Sequence, residues 1–137
     1  MTIKKEGQFA KALSTYNEFG YFYSEEVIPF GAGVMRGTAP EDQCKLMTTG
    51  GKFIGIAGAR NTNIQDKKEY PIKNTVEVIK KGYVWVKVAG AVVAGDKAAC
   101  GEKGKWNKSG TANYDDVNGV FETSANANQY AILHLKG

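Results

Sequence analysis

The stretch that decides the fold is Thr75-Val76-Glu77-Val78-Ile79-Lys80-Lys81-Gly82-Tyr83-Val84-Trp85-Val86-Lys87-Val88. Successive side chains of a strand point to opposite faces, so Val84, Val86 and Val88 share one face and Tyr83, Trp85 and Lys87 the other. Val76 and Val78 alternate in the same way with Thr75, Glu77 and Ile79. Between the two runs, Lys80-Lys81-Gly82 reads as the turn of a hairpin, with Gly82 suited to positive φ. The five valines are expected in the core. The Trp85 face is then either a second buried face, as in a sandwich or barrel, or a contact surface.

Working outward, the same alternation returns in short pieces. Tyr130-Ala131-Ile132-Leu133-His134-Leu135 reads as a final strand, and Gly119-Val120-Phe121-Glu122-Thr123 as another. Upstream, Val27-Ile28-Pro29-Phe30 ends at Gly31-Ala32-Gly33. Pro29 cannot donate to a ladder, which makes this an edge strand or a strand end. Gln43 to Thr48 and Phe53-Ile54-Gly55-Ile56-Ala57 add two more, separated by Gly50-Gly51. Residues 58–66 and 108–116 are rich in Gly, Asn and Asp and read as polar loops. Eight or nine short strands in 137 residues predict an all-β, single-domain β-sandwich or barrel.

Composition agrees. The length fits one core, and 17 glycines against 3 prolines suit short strands joined by tight turns. No run of about 18 apolar residues spans a membrane, and no apolar signal-peptide core follows Met1-Thr2-Ile3-Lys4-Lys5-Glu6. The net charge of +4 comes almost entirely from lysine, Arg36 and Arg60 being the two arginines. Dispersed lysines without arginine forks read as a mildly basic solvated surface rather than a nucleic-acid site. Cys44 and Cys100 stand outside any Cys-x-x-Cys pair, so free buried thiols are expected and zinc has no support.

Residues 1–24 differ from the remainder, 25–137. They carry Phe9, Tyr16, Phe19, Tyr21, Phe22 and Tyr23 among small and polar residues. Two readings stand: a strand or short helix capping the core, or an N-terminal arm that packs on a neighbouring subunit, where aromatics bury large area at low rotamer cost. These six residues, with Tyr83 and Trp85, form the candidate interface.

No set of residues points to catalysis. His134, the one histidine, lies within a strand pattern, and no Ser-His-Asp set forms around it. Asp115 and Asp116, adjacent in a loop, read as solvated. Gly31-Ala32-Gly33-Val34-Met35-Arg36-Gly37 departs from the dinucleotide spacing by one residue and has no helix after it. The Gly95-Asp96 turn lacks the presented lysine of a carrier domain. No enzyme, cofactor or metal is expected.

Taken in order, Ile28-Pro29-Phe30-Gly31-Ala32-Gly33-Val34, Phe53-Ile54-Gly55-Ile56-Ala57, Tyr70-Pro71, Val76-Glu77-Val78, Gly82-Tyr83-Val84-Trp85-Val86 and Ala94-Gly95-Asp96 resemble the capsid cement, or head decoration, proteins of tailed bacteriophages. The resemblance runs from about Glu25 to Leu135. It implies a jelly-roll-like β fold that sits on the outer capsid surface of the virion, is made in the host cytoplasm, and braces the major capsid protein. It also implies a homo-oligomer, a trimer first and a dimer second, with no nucleic-acid or membrane partner. Two other readings remain open: a carbohydrate- or ligand-binding β module in which Trp85 or Trp106 stacks on a sugar, and a small hydrolase using Asp115 or Asp116.

Overall fold

The computed structural model of the chain describes residues 6–7, 18–59 and 68–137. Those residues form eleven strands: β1 (Glu18–Ser24), β2 (Ile28–Pro29), β3 (Gly33–Arg36), β4 (Gln43–Leu46), β5 (Phe53–Ala57), β6 (Glu69–Tyr70), β7 (Thr75–Lys87), β8 (Lys97–Gly101), β9 (Trp106–Lys108), β10 (Tyr114–Phe121) and β11 (Tyr130–Lys136). A 3-10 turn, Glu102–Gly104, stands between β8 and β9. The fold is all-β and barrel-like.

The expected hairpin at Lys80-Lys81-Gly82 is not a hairpin. The chain runs straight through as β7, 13 residues long. Its first half pairs with β1, from Phe22↔Val76 to Glu18↔Lys81, and its second half pairs with β11, from Lys136↔Lys81 to Tyr130↔Lys87. The register against β1 slips by one between Glu18 and Phe19, so Lys80 is an extra residue on the β7 side, and Gly82 has a φ of 141°. An extra residue of this kind is a β-bulge, which exchanges the two faces of a strand. A tight turn and a glycine-punctuated bulge leave the same mark in the local sequence. The partners at long range decide between them.

Because β7 serves two neighbours, nine of the strands close into two rings, while β2 and β6 pair with each other in a separate two-stranded sheet. β1, β4, β3, β5 and the first half of β7 form one: β1 pairs with β4, β4 with β3, β3 with β5, β5 with β7, and β7 returns to β1. The second half of β7 continues through β11, β10, β8 and β9, and a bridge from Val88 to Trp106 brings β9 back to the end of β7. Closure removes free sheet edges, which otherwise invite pairing with other chains.

The core divides into two packed clusters, the second of which draws on strands of both rings. Phe22, Ile28, Val34, Cys44, Ala57, Tyr70, Val76 and Val78 fill the first; Val84, Val86, Val88, Cys100, Trp106, Phe121, Leu133 and Leu135 belong to the second, which also takes Ile56 and Ile79. The five valines expected in the core are all fully buried. Where β7 is the wall between the clusters, four residues in a row, Val76 to Ile79, are buried, because both faces of the strand are covered. Beyond the bulge, burial returns to strict alternation.

The seam where β3 meets the second ring is drawn tight by glycine. A Cβ on Gly33 would lie 2.3 Å from Cys100 Sγ, and one on Gly104 would lie 2.4 Å from the Gly33 carbonyl oxygen. The Trp106 indole N–H donates to the Gly31 carbonyl at 2.7 Å, and its ring meets Phe53 edge-on. The stretch 108–116, expected as a loop, instead supplies the end of β9 and the start of β10, joined by a turn in which Asn113 has a φ of 67°.

Candidate interface

β1 carries the aromatic run. It is not free of the body: Gly20 pairs with Val78, Phe22 with Val76, and Tyr23 with both Thr75 and Gln43. The segment set apart at residue 24 therefore contributes, over Glu18–Ser24, to the same sheet as the rest of the chain. Alternation then sorts its side chains. Phe22 points inward and is 7% exposed, between the first cluster and the cationic groups of Arg36 and Lys80, each 5.8 Å from its ring centre. Phe22 is thus a core residue of its own subunit, a correction to its expected place on the interface. Phe19, Tyr21 and Tyr23 point outward at 38%, 62% and 57% exposure, with Phe19 and Tyr21 in an edge-to-face contact at 6.0 Å. Phe9 and Tyr16 lie outside the described residues.

The end of this face is extended by two residues that the sequence did not single out. The Ser24 hydroxyl donates to the Pro71 carbonyl at 2.7 Å and accepts from the Asn74 amide, and the Lys73 amide donates to the Ser24 carbonyl. This ties the 71–74 turn to the end of β1, and the turn presents Ile72, half exposed; Val27, just beyond β1, is exposed too. Ile72 sits in a Pro-Ile-Lys-Asn turn, where local sequence offers no face to assign it to. Phe19, Tyr21 and Tyr23 thus line the outer face of β1, with Val27 and Ile72 exposed close to its end, and the tyrosine hydroxyls tolerate water before contact.

Tyr83 and Trp85 lie elsewhere, on the outer side of the second half of β7, and are half-buried. Tyr83 stacks on His134, its direct cross-strand partner, with ring centres 4.1 Å apart and planes 13° from parallel. The structure therefore brings Phe19, Tyr21 and Tyr23 together and places Tyr83 and Trp85 on a different strand pair.

The polar candidates have structural partners. The Asp115 carboxylate accepts from the Gly50 amide at 2.5 Å, and Glu102 from the Thr49 amide at 2.7 Å, so the β4–β5 tip of the first ring is tied to the second. Asp116 accepts from the Ser109 hydroxyl at 2.6 Å, just past β9. Adjacent in sequence, the two aspartates face different partners. Trp106 is 1% exposed and cannot stack on a sugar in solution. Cys44 and Cys100 are free and buried, and burial pushes each thiol up to about 12. Burial likewise pushes the Tyr70 phenol up to about 12; its hydroxyl donates to the Gly58 carbonyl. Among the described residues, no three of His, Cys, Asp and Glu gather where a metal ion could be held, and no helix is long and apolar enough to cross a membrane.

The described residues thus form a closed β body with two buried thiols, with Asp115 and Glu102 tying its rings together and exposed aromatics along β1, the build of a rigid scaffold. The comparison with known families is specific about which kind. Residues 1–136 match the family described as structural cement protein (E217 gp24/Pam3 gp6), and the chain belongs to that family of phage structural proteins. No curated protein matches it. Among solved structures, it is similar to a chain from the capsid of Myoviridae phage XM1, at 20% identity and a TM-score of 0.77, over 98% of this chain and 92% of that one. It is also similar to the N base of the head fiber gp8.5 of bacteriophage phi29, at 13% identity and a TM-score of 0.54, over 88% of this chain and 94% of that one. At these identities the two likenesses speak to the fold.

Proposed function

We propose that this cement protein binds the outside of an assembled phage capsid, bracing the major capsid protein, and that it does so without catalysis. The observation that carries the reading is the outward face of β1. Phe19, Tyr21 and Tyr23 stay in water on a strand whose other face is packed, and Val27 and Ile72 are exposed close to its end. Solvated aromatics on a hydrogen-bonded strand are ordered before contact, so little entropy is lost when they are covered. A protein that binds the assembled shell and not its separated subunits stabilises the shell by mass action, and repeated copies multiply a modest contact. The copies associate with one another as a trimer, with a dimer as the second arrangement, and Tyr83 and Trp85 supply contacts away from the β1 strip.

The test replaces Tyr21 and Tyr23 together by serine. Both side chains are exposed, so the melting temperature of the isolated protein should hardly move. Capsids mixed with the variant should lose the protection against heat that the parent chain gives. Unchanged protection at equal concentration would remove β1 as the adhesive face and turn attention to Tyr83 and Trp85.

A further inference from the structure

One length of strand edge escapes the closure of the rings. β1 is held to β7 from Glu18↔Lys81 to Tyr23↔Thr75, but on its other side β4 reaches it only at Tyr23 and Ser24. Backbone groups of an antiparallel strand turn alternately to its two sides. The Ser24 amide donates to the Asn74 carbonyl at 2.9 Å, on the β7 side, and the Tyr23 amide to the Asp42 carbonyl at 2.8 Å, on the β4 side. Two residues back, Tyr21 therefore turns its amide and carbonyl to the β4 side as well, where β4 has not yet begun. Its partner across the ladder, Glu77, agrees: the Glu77 carbonyl turns away from β1 and accepts from the Gly58 amide at 2.7 Å. Among the described residues no strand pairs with Tyr21 on the open side, and the residue is 62% exposed.

Two cations stand at this opening. The Arg36 guanidinium and the Lys80 ammonium each lie 5.8 Å from the centre of the Phe22 ring, and the Lys80 stem runs past Gly20. Among the described residues neither is within ion-pair reach of a carboxylate, the exposed Glu41 and Asp42 included; the ion pair on this side of the molecule is Lys81 with Glu18, at 4.0 Å.

We propose that β1 takes on an added strand at Tyr21: an extended segment of the major capsid protein pairs with the Tyr21 backbone and sets a carboxylate against Arg36 and Lys80. The inference rests on the capsid reading of the β1 face. An open edge accepts a strand through main-chain hydrogen bonds, and the side chains beside it set the choice of partner. A second copy of β1 does not fit this place. Paired antiparallel about Tyr21, it would set its own Phe19 opposite Tyr23, on the side that β4 already holds. It would also bring a second Arg36 and Lys80 against the first, and like charges set opposite one another are destabilising. The added segment is therefore short, lies beside β1 ahead of Tyr23, and is acidic.

Hydrogen exchange of the full-length chain, free and bound to assembled capsids, tests this at the Tyr21 amide. That amide lies in the plane of the sheet, so covering the tyrosine rings on the outer face does not by itself bond it. In the free protein it should exchange faster than the amides of Gly20 and Phe22, which turn to β7. On the capsid it should slow by about tenfold or more, as an open strand amide does once it is paired. Lys80→Met keeps the stem beside Gly20 and removes the charge; it should weaken capsid binding by about fivefold and flatten its salt dependence. If the bound protein exchanges its Tyr21 amide within tenfold of the free rate, no strand is added, and the aromatic face binds by its side chains alone. Unchanged binding by Lys80→Met overturns the acidic partner. A chain that does not bind capsids at all removes the capsid reading of β1 together with the added strand.

Discussion

Gly33 is the position where one atom should matter most. It lies in β3 of the first ring, and a Cβ there would sit 2.3 Å from Cys100 Sγ in β8 of the second, with Phe53 and Trp106 each at 3.3 Å. Carbon and sulfur need more than an ångström beyond that separation, and neither side can yield easily. Cys100 is on a paired strand, and Trp106 is pinned through its indole to Gly31. Overpacking a filled core costs typically about 1–3 kcal/mol, and the depth of this overlap places Gly33→Ala at about 3 kcal/mol. For a domain of this size that lowers the melting temperature by roughly 10 °C. The backbone of Gly33 is not in the left-handed region, so the loss is steric and can be relieved. Cys100→Ala removes the offending sulfur and by itself should cost about 1 kcal/mol as a small cavity. In a double-mutant cycle by chemical denaturation, the combined variant should then be more stable than the sum of the single changes predicts, by about 1–2 kcal/mol. If the two changes add, Gly33 and Cys100 are not in contact and the seam between the rings has been drawn wrongly.

Two further outcomes follow from the same packing. Trp106→Phe keeps the ring but leaves the buried Gly31 carbonyl without its donor, so stability should drop by about 1–3 kcal/mol in denaturant titrations; a drop much smaller than this would mean the indole bond is not formed. In alkali, Cys44, Cys100 and Tyr70 ionise in the folded chain only near about 12, whereas in the unfolded chain the thiols ionise from their ordinary 9.0 and the phenol from 10.0. The unfolded state therefore loses protons first, and the stability these groups contribute is full below pH 9 and lost as the pH rises toward about 12. Melting temperatures should fall steadily over that window, and a thiol reagent at pH 8 should label neither cysteine until the chain unfolds. Labelling of the native protein would place a thiol at the surface.

The β class was legible from the sequence because strand periodicity is local. Val84, Val86 and Val88 alternate with Tyr83, Trp85 and Lys87, and that spacing by itself places the valines inward. The burial of Cys44 and Cys100 and the place of His134 within the last strand were equally readable, since they rest on residue type and pattern. Most of the candidate face was legible as well: Phe19, Tyr21 and Tyr23 were singled out by their density. Their separation from Phe22 was not drawn, because the phase of an alternation is set by which partner the strand pairs with.

What the tertiary structure decided is everything that depends on a distant neighbour. Lys80-Lys81-Gly82 carries the marks of a turn, yet β7 runs through it because β1 claims one half of the strand and β11 the other. Trp106, in a polar, lysine-rich stretch and open in sequence to stacking on a sugar, is buried because Gly31 and Phe53 arrive from 75 and 53 residues away to receive it. Asp115 and Asp116, alike in sequence, diverge because the β4–β5 tip happens to reach one of them. In each case the local chain is compatible with more than one arrangement, and the choice is made by hydrogen bonds and burial supplied by distant partners.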